Sequence, residues 1–327
     1  MKRLYSTFVL LAVLLIVPFV TGCAEKEPVA IFIPQTEIIL NPGDEVFLEV
    51  FADYGGDSEL EPVLISEGLL FFSSREELLT VEPDGRVHIR SQVLNSGKVL
   101  TGESGELHVK YGNLKTSCRV LLIPNPEDSI DPMGFLIDPE SIDALVNKTR
   151  SLPEDYEPPL LTRVSVPTCL TFQEVNHLRR PAAAALSRMF TEAEDEEGYK
   201  LIARSGYRSH KTQAGLYQMN VENHGQEYAD KYSARPGTSE HQTGLAMDIT
   251  SKTVNNQLVD NFGETPEGVW VHENCHRFGF ILRYLPGKED VTGYNYEPWH
   301  LRYVGEVLAT EIYSRGLTLE EFYDLGR

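Results

Sequence analysis

"GTSEHQTGLAMDI", residues 237–249, sets an imidazole and a carboxylate, His241 and Asp248, seven residues apart on either side of a glycine. In a fully extended chain that separation would be roughly 23 Å, far beyond what two groups sharing one ion allow. The "QTG" at Gln242–Gly244 offers a turn that shortens it, and Gly244 can take the positive φ such a turn needs. "AMDIT" then reads as a short strand in which Asp248 faces the same side as Ala246. An unpaired carboxylate in an apolar strand is costly to bury, so this strand predicts a partner elsewhere in the chain.

"EPWH", Glu297–His300, offers that partner. Glu-x-x-His alone is a weak signal, and it gains weight beside a His-x6-Asp. His300 would complete a His241–Asp248–His300 set, an N/N/O shell appropriate to Zn2+ with one position open. Glu297, held close to that set by Pro298, would lie beside the metal without binding it, where a carboxylate can take a proton from water and pass it to a leaving amine. Nine histidines are present, and any one alone is more ordinarily a surface or core imidazole; His210, His224, His272 and His276 are not assigned to metal.

Around these stretches, strands and helices mix without a βαβ rhythm, which predicts an α+β domain with a small mixed or antiparallel sheet. "YKLIARSGYRS" reads as a strand running into a turn, "HKTQAGLYQMN" as a helix, and "FILRY" and "WHLRYV" as further strands. "TPEGVWVHENCHRFG" carries helix signals at both ends: Thr265 as N-cap, Pro266 at the first position and Gly279 as the stop. Thr171 with Glu174 makes a capping box and Leu170 a staple onto Val175. Val175, Leu178, Ala182, Leu186 and Met189 follow at helical spacing, with Pro181 predicting either a kink or a second helix starting there.

"SGYRSHKTQAGLY", "GTSEHQTGLAMDI", "GFILRY" and "GYNYEPWHLRYVG" resemble, in order and spacing, the D-alanyl-D-alanine carboxypeptidases of the VanY type, within the zinc peptidase group that includes lysostaphin and the hedgehog domain. The resemblance covers about residues 140–320. It implies zinc held by His241, Asp248 and His300, Glu297 as general base and acid, and Arg208 on the oxyanion. It places Gln213 and Ser239 on the substrate peptide, with Tyr207 and Trp299 lining the pocket. It implies a zinc-dependent D,D-carboxypeptidase that removes the C-terminal D-alanine from peptidoglycan stem peptides. The alternatives are an L,D-carboxypeptidase, a cross-bridge endopeptidase, or a non-catalytic wall-binding lipoprotein.

Toward the N-terminus the chain changes character. From 30 to 124 short apolar runs alternate with turns, as in "TVEPDGRVHI" and "LHVKYGNLKTSCRVLLI", which predicts hairpins within an all-β sandwich. "FFSSREELLTVEPDGRVHI" and the final "RVLLI" resemble bacterial Ig-like domains of group 2. Lys2, Arg3 and the apolar run Phe8–Val20 form a signal-like segment too short to span a bilayer. "VTGC" resembles a lipobox and makes Cys23 the expected lipidation site, anchoring the protein outside the cell membrane. The expected order is signal (1–23), tether (24–29), Ig-like domain (30–124), linker (125–140) and carboxypeptidase domain (141–327).

Charged residues at 24% and hydrophobic residues at 41% fit a soluble globular protein, and a net charge of −20 argues against nucleic acid, which requires a basic footprint. Beyond Cys23, Cys118, Cys169 and Cys275 form no disulfide framework. Cys118 reads as a buried strand residue and Cys275 as part of a helix core stripe; a Cys169–Cys275 bridge is an option in an exported protein.

Overall fold

In the N-terminal region β-branched and aromatic residues alternate between turns, and the backbone accordingly pairs into strands. The computed structural model describes residues 27–55, 62–90, 101–170 and 174–326. The calls on the signal segment, Cys23 and the Thr171 capping box lie outside these residues. Among the described residues, no helix is long and apolar enough to cross a membrane.

Among the described residues up to Leu122 the regular elements are all strands. Strand Leu114–Leu122 is central to a four-stranded sheet, antiparallel to Ser104–Tyr111 and parallel to Glu37–Leu40, with Leu69–Ser73 at the far edge. Two three-stranded sheets complete the region, one of them holding the hairpin Leu79–Val81 with Arg86–Ile89. The apolar alternation Val46, Leu48, Val50 is divided between two strands: Glu45–Phe47 pairs with Arg86–Ile89, whereas Val50–Asp53 pairs with Ala30–Phe32. The three sheets share a core that includes Leu40, Val50, Leu107, Cys118 and Val120.

Residues 125–140 carry the prolines and acids of a linker, yet they are folded. Asn125 caps a 3-10 turn at Pro126–Ser129, and Leu136 is buried with Ala144, Val146 and Leu152. The β-region also packs directly against the C-terminal helices. Leu121 and Ile123, at the end of the long strand, share a cluster with Leu308, Ile312, Leu319 and Phe322. Arg119 pairs with Glu37 at 3.1 Å and with Glu311, while Arg315 reaches Glu37 at 2.6 Å. Each fully buried apolar side chain of the Leu121–Ile123 cluster is worth roughly 1.5–3 kcal/mol when withdrawn from water, so the cluster opposes free hinging between the two regions.

The C-terminal region is α+β. Its sheet runs Leu201–Ser205, Ala246–Ser251, His300–Tyr303, Phe280–Leu282, all antiparallel. Helix Arg180–Glu197 buries Ala182, Leu186, Met189 and Phe190 on this sheet's core. The helix begins later than the apolar stripe implied. Val175 lies in a 3-10 turn, Glu174–Asn176, and Leu178 in a strand pairing with Leu161–Arg163. Pro181 is the reason: lacking an N–H and crowding the preceding turn, it suits a helix start and not an interior. The helix Pro266–Asn274 follows its signals, Thr265 accepting from the Gly268 N–H at 3.1 Å, and a 3-10 turn then runs to Gly279.

Cys118, Cys169 and Cys275 are all free, so the Cys169–Cys275 bridge is not formed. Burial pushes the Cys118 thiol up to about 11 and the Cys275 thiol up to about 12. At pH 8 both stay protonated and enclosed, and the thiolate is the reactive form. Iodoacetamide is therefore expected to miss both in native protein and to label both in denaturant, as read by peptide mass spectrometry; native labelling of either would contradict this packing.

Candidate metal centre and active site

Antiparallel pairing places the first two groups. Asp248 lies directly opposite His300 in register, and directly opposed side chains share a face with Cβ atoms about 4.5–5.5 Å apart. The His300 Nδ1 accordingly sits 3.0 Å from an Asp248 oxygen. His241 arrives from the 3-10 turn Glu240–Thr243, closed by Gly244 at φ 67°. The positive φ is what asks for glycine; an added Cβ would also crowd the Leu161 Cδ2 at 2.9 Å, a side-chain end that can shift. The turn brings His241 Nε2 to 3.4 Å from the other Asp248 oxygen. One ligand atom from each of His241, Asp248 and His300 lies within 4.8 Å of the others, and all three residues are buried.

The donor set suits a cation here. The His241 Nδ1 faces the Gly206 carbonyl at 2.7 Å; a carbonyl only accepts, so Nδ1 carries the proton and Nε2 keeps its lone pair. Position 206 has no room for a side chain, since a Cβ there would lie 2.6 Å from the His177 carbonyl oxygen. Burial, with Arg208 adding to it, pulls His241 down to about 3 and leaves it neutral. Burial would raise Asp248, but His241 and His300 outweigh it and hold the carboxyl below its ordinary value. In His300 burial is overcome by hydrogen bonds to Asp248 and Glu240, which carry it up to about 9, so a metal would take this ring as a ligand by displacing one of its protons. Two imidazoles and one ionised carboxylate, converging in a buried space, fit a divalent metal, and by donor set they suit zinc.

Glu297 stands beside this triad, its carboxylate 3.8 Å from His300 Nδ1. The turn that carries it is closed by the His300 N–H donating to the Glu297 carbonyl at 3.1 Å. Burial, reinforced by Asp248, pushes its carboxyl up to about 7. Arg208 is tied to the same site through its backbone N–H, which donates to the His241 carbonyl at 3.2 Å. Burial pulls its guanidinium below the ordinary value, with Asp248 and Glu297 opposing. Among the described residues its Nε is buried without a partner, and so is the Gln213 Oε1, whose amide nitrogen donates to the Ala234 carbonyl at 2.7 Å. Buried polar atoms are normally satisfied, so these two are available to a ligand.

The other expected pocket residues are placed less uniformly. Ser239 is buried immediately before the turn that carries His241, and its side chain does not cap that turn. Tyr207 is buried, its backbone N–H donating to the His177 carbonyl at 2.8 Å. Trp299 is half-buried and packs against the main core. Four residues given no role in the sequence reading belong to this neighbourhood: Glu240, Arg283, Arg302 and Tyr284, whose ring centroid is 5.0 Å from that of His300. An arginine ending one short apolar run, "FILR", and another inside a second, "HLRY", was the available signal.

Comparison with known proteins places the chain. A family model described as VanY, D-alanyl-D-alanine carboxypeptidase, matches residues 175–306. The putative carboxypeptidase YodJ of Bacillus subtilis (strain 168) is 45% identical over 203 residues, 61% of this chain and 73% of the relative. VanXYC of Enterococcus gallinarum, a bifunctional D-Ala-D-Ala dipeptidase and carboxypeptidase, is 34% identical over 182 residues, 55% of this chain and 92% of the relative. The solved structure of the LdcB LD-carboxypeptidase, reported with its peptidoglycan recognition, is similar at a TM-score of 0.57 and 45% identity, covering 60% of this chain and 91% of LdcB. The chain is a carboxypeptidase and belongs to the VanY family.

Proposed function

We propose that this protein is a zinc-dependent carboxypeptidase that releases the C-terminal D-alanine of peptidoglycan stem peptides. The observation that carries the reading is the convergence of His241, Asp248 and His300 with the Glu297 carboxylate 3.8 Å from His300. His241, Asp248 and His300 would hold the zinc, which when bound would supply Lewis acidity and make water a better nucleophile at neutral pH. Glu297 takes a proton from the attacking water and delivers it to the departing amine. Arg208 directs its guanidinium at the oxyanion, and Gln213 and Ser239 hold the peptide, with Tyr207 and Trp299 as pocket walls. Arg208→Ala is expected to lower kcat by about 10²–10³ while leaving the fold intact; a near-normal rate would remove the residue from the mechanism.

Two bonds are candidates. The family model supports cleavage of the pentapeptide's D,D bond. The likeness to LdcB supports the tetrapeptide's L,D bond, and it rests on a higher identity than the likeness to VanXYC. Mass spectrometry of penta- and tetrapeptide stems after incubation, with and without chelator, decides between them. Loss of D-alanine from neither stem would end the proposal.

The signal-like segment and Cys23 support a lipid-anchored, extracytoplasmic location, where this substrate lies. The Ig-like resemblance of the β-region supports a role as spacer or wall contact. Globomycin-sensitive processing at Cys23 tests the anchor.

A further inference from the structure

The carboxylate most deeply enclosed near the metal ligands is one the reaction above does not use. Glu240 precedes His241 in the same turn, and its side chain is fully buried. One of its oxygens accepts from Arg283 Nε at 2.8 Å and from Arg302 Nη1 at 2.7 Å. The other faces His300 Nε2 at 3.3 Å. Arg283 is gripped in turn by Glu320 of the C-terminal helix Leu319–Asp324 through two 2.7 Å hydrogen bonds. Arg302 donates to the carbonyls of Ile142 at 3.1 Å and Ala144 at 2.8 Å.

We propose that Glu240 is a positioning residue that fixes which nitrogen His300 offers to the metal, and that Arg283, Arg302 and Glu320 hold it in place. An ionised carboxylate only accepts hydrogen bonds, so the His300 nitrogen facing it must carry a proton. Nδ1 also faces a carboxylate, 3.0 Å away, but that carboxylate is Asp248, itself a ligand; an ion taken up by both would displace the Nδ1 proton, whereas the Nε2 proton stays with Glu240, and Nδ1 is the ligand atom. His241 is fixed in the opposite sense: its Nδ1 donates to the Gly206 carbonyl and its Nε2 faces Asp248. The two imidazoles thus present different nitrogens, each selected by its own acceptor. A mobile glutamate could not enforce this, because a metal ligand's outer partner acts by holding ring orientation and tautomer. Two arginines pulling on one oxygen leave the other aimed at the ring. Burial of such an ion cluster is weak evidence for a stabilising role, since apolar replacements are often as stable; a positional role gives the cluster a reason to exist.

The inference rests on His241, Asp248 and His300 being the metal site. Failure of that reading would appear as wild-type protein that takes up no zinc, whereas failure of the present one would leave wild type and variant binding zinc equally. Glu240→Gln is the informative change. The amide oxygen would turn to the arginines and its NH2 to His300, favouring the tautomer that protonates Nδ1. Zinc affinity, measured by chelator competition on folded protein, is expected to fall about 10–100-fold, and wild-type affinity in a folded variant would overturn the proposal. Should that variant fail to fold, Glu240→Gln with Arg302→Gln restores the buried charge balance and is expected to show the same loss. On zinc-loaded wild type, histidine 15N NMR is expected to show His300 bound through Nδ1 and His241 through Nε2. Binding of His300 through Nε2 would refute the proposal without any mutation.

Discussion

Glu297→Gln is expected to keep its zinc and lose about 10²–10⁴ in turnover, the range associated with a positioned general acid–base group. The substitution preserves shape and leaves the three ligands untouched, since Glu297 stands outside the His241–Asp248–His300 triad. What disappears is the capacity to accept a proton from water and return it to the leaving amine. The backbone that sets the residue in place remains, because the His300 N–H still reaches the carbonyl of position 297. Metal content and kcat should therefore separate: unchanged zinc by elemental analysis and a collapsed rate on stem peptide. A variant that retains zinc and keeps a tenth or more of wild-type turnover would assign the proton transfer to another group.

Asp248→Ala should have the other large effect, the loss of both metal and activity. Asp248 supplies the triad's carboxylate and lies between the imidazoles, 3.0 Å from His300 Nδ1 and 3.4 Å from His241 Nε2. Without it the site keeps two neutral donors and loses the negative charge that favours a divalent ion. Water lacking metal activation has a pKa of 15.7 against about 7 at a zinc centre, so cleavage is expected to fall to the uncatalysed background. Chelation of wild type should reproduce the effect, and added zinc should restore wild type but not the variant. Full activity in zinc-free wild type would refute the metal dependence outright.

Much of the site could be read before folding was considered, because its chemistry is carried by residue type. His241, Asp248, His300 and Glu297 stand out as ionisable groups in short, patterned stretches. Gly244 marks a turn that the structure closes at positive φ. The Thr265 cap and the Gly279 stop are likewise local, since a helix end is satisfied by neighbours within a few residues. Pro181 shows where local reading divides: the apolar spacing continued through it, and the alternative start at that proline is the one the backbone takes.

What only the tertiary structure decided involves partners distant in sequence. The register that sets Asp248 against His300 links positions 52 apart, and the Glu240–His300 contact links positions 60 apart. Arg302 sits in a strand and Arg283 directly after one, as charges that periodicity would place on a solvated face; they are buried because Glu240 and Glu320 arrive from other elements to pair with them. The packing of Leu121 and Ile123 on the C-terminal helices is of the same kind. Residue identity determines which groups can bind a metal or move a proton. Which nitrogen faces the metal, and what holds it there, follows from side chains meeting across the fold, where no sequence interval records the distance.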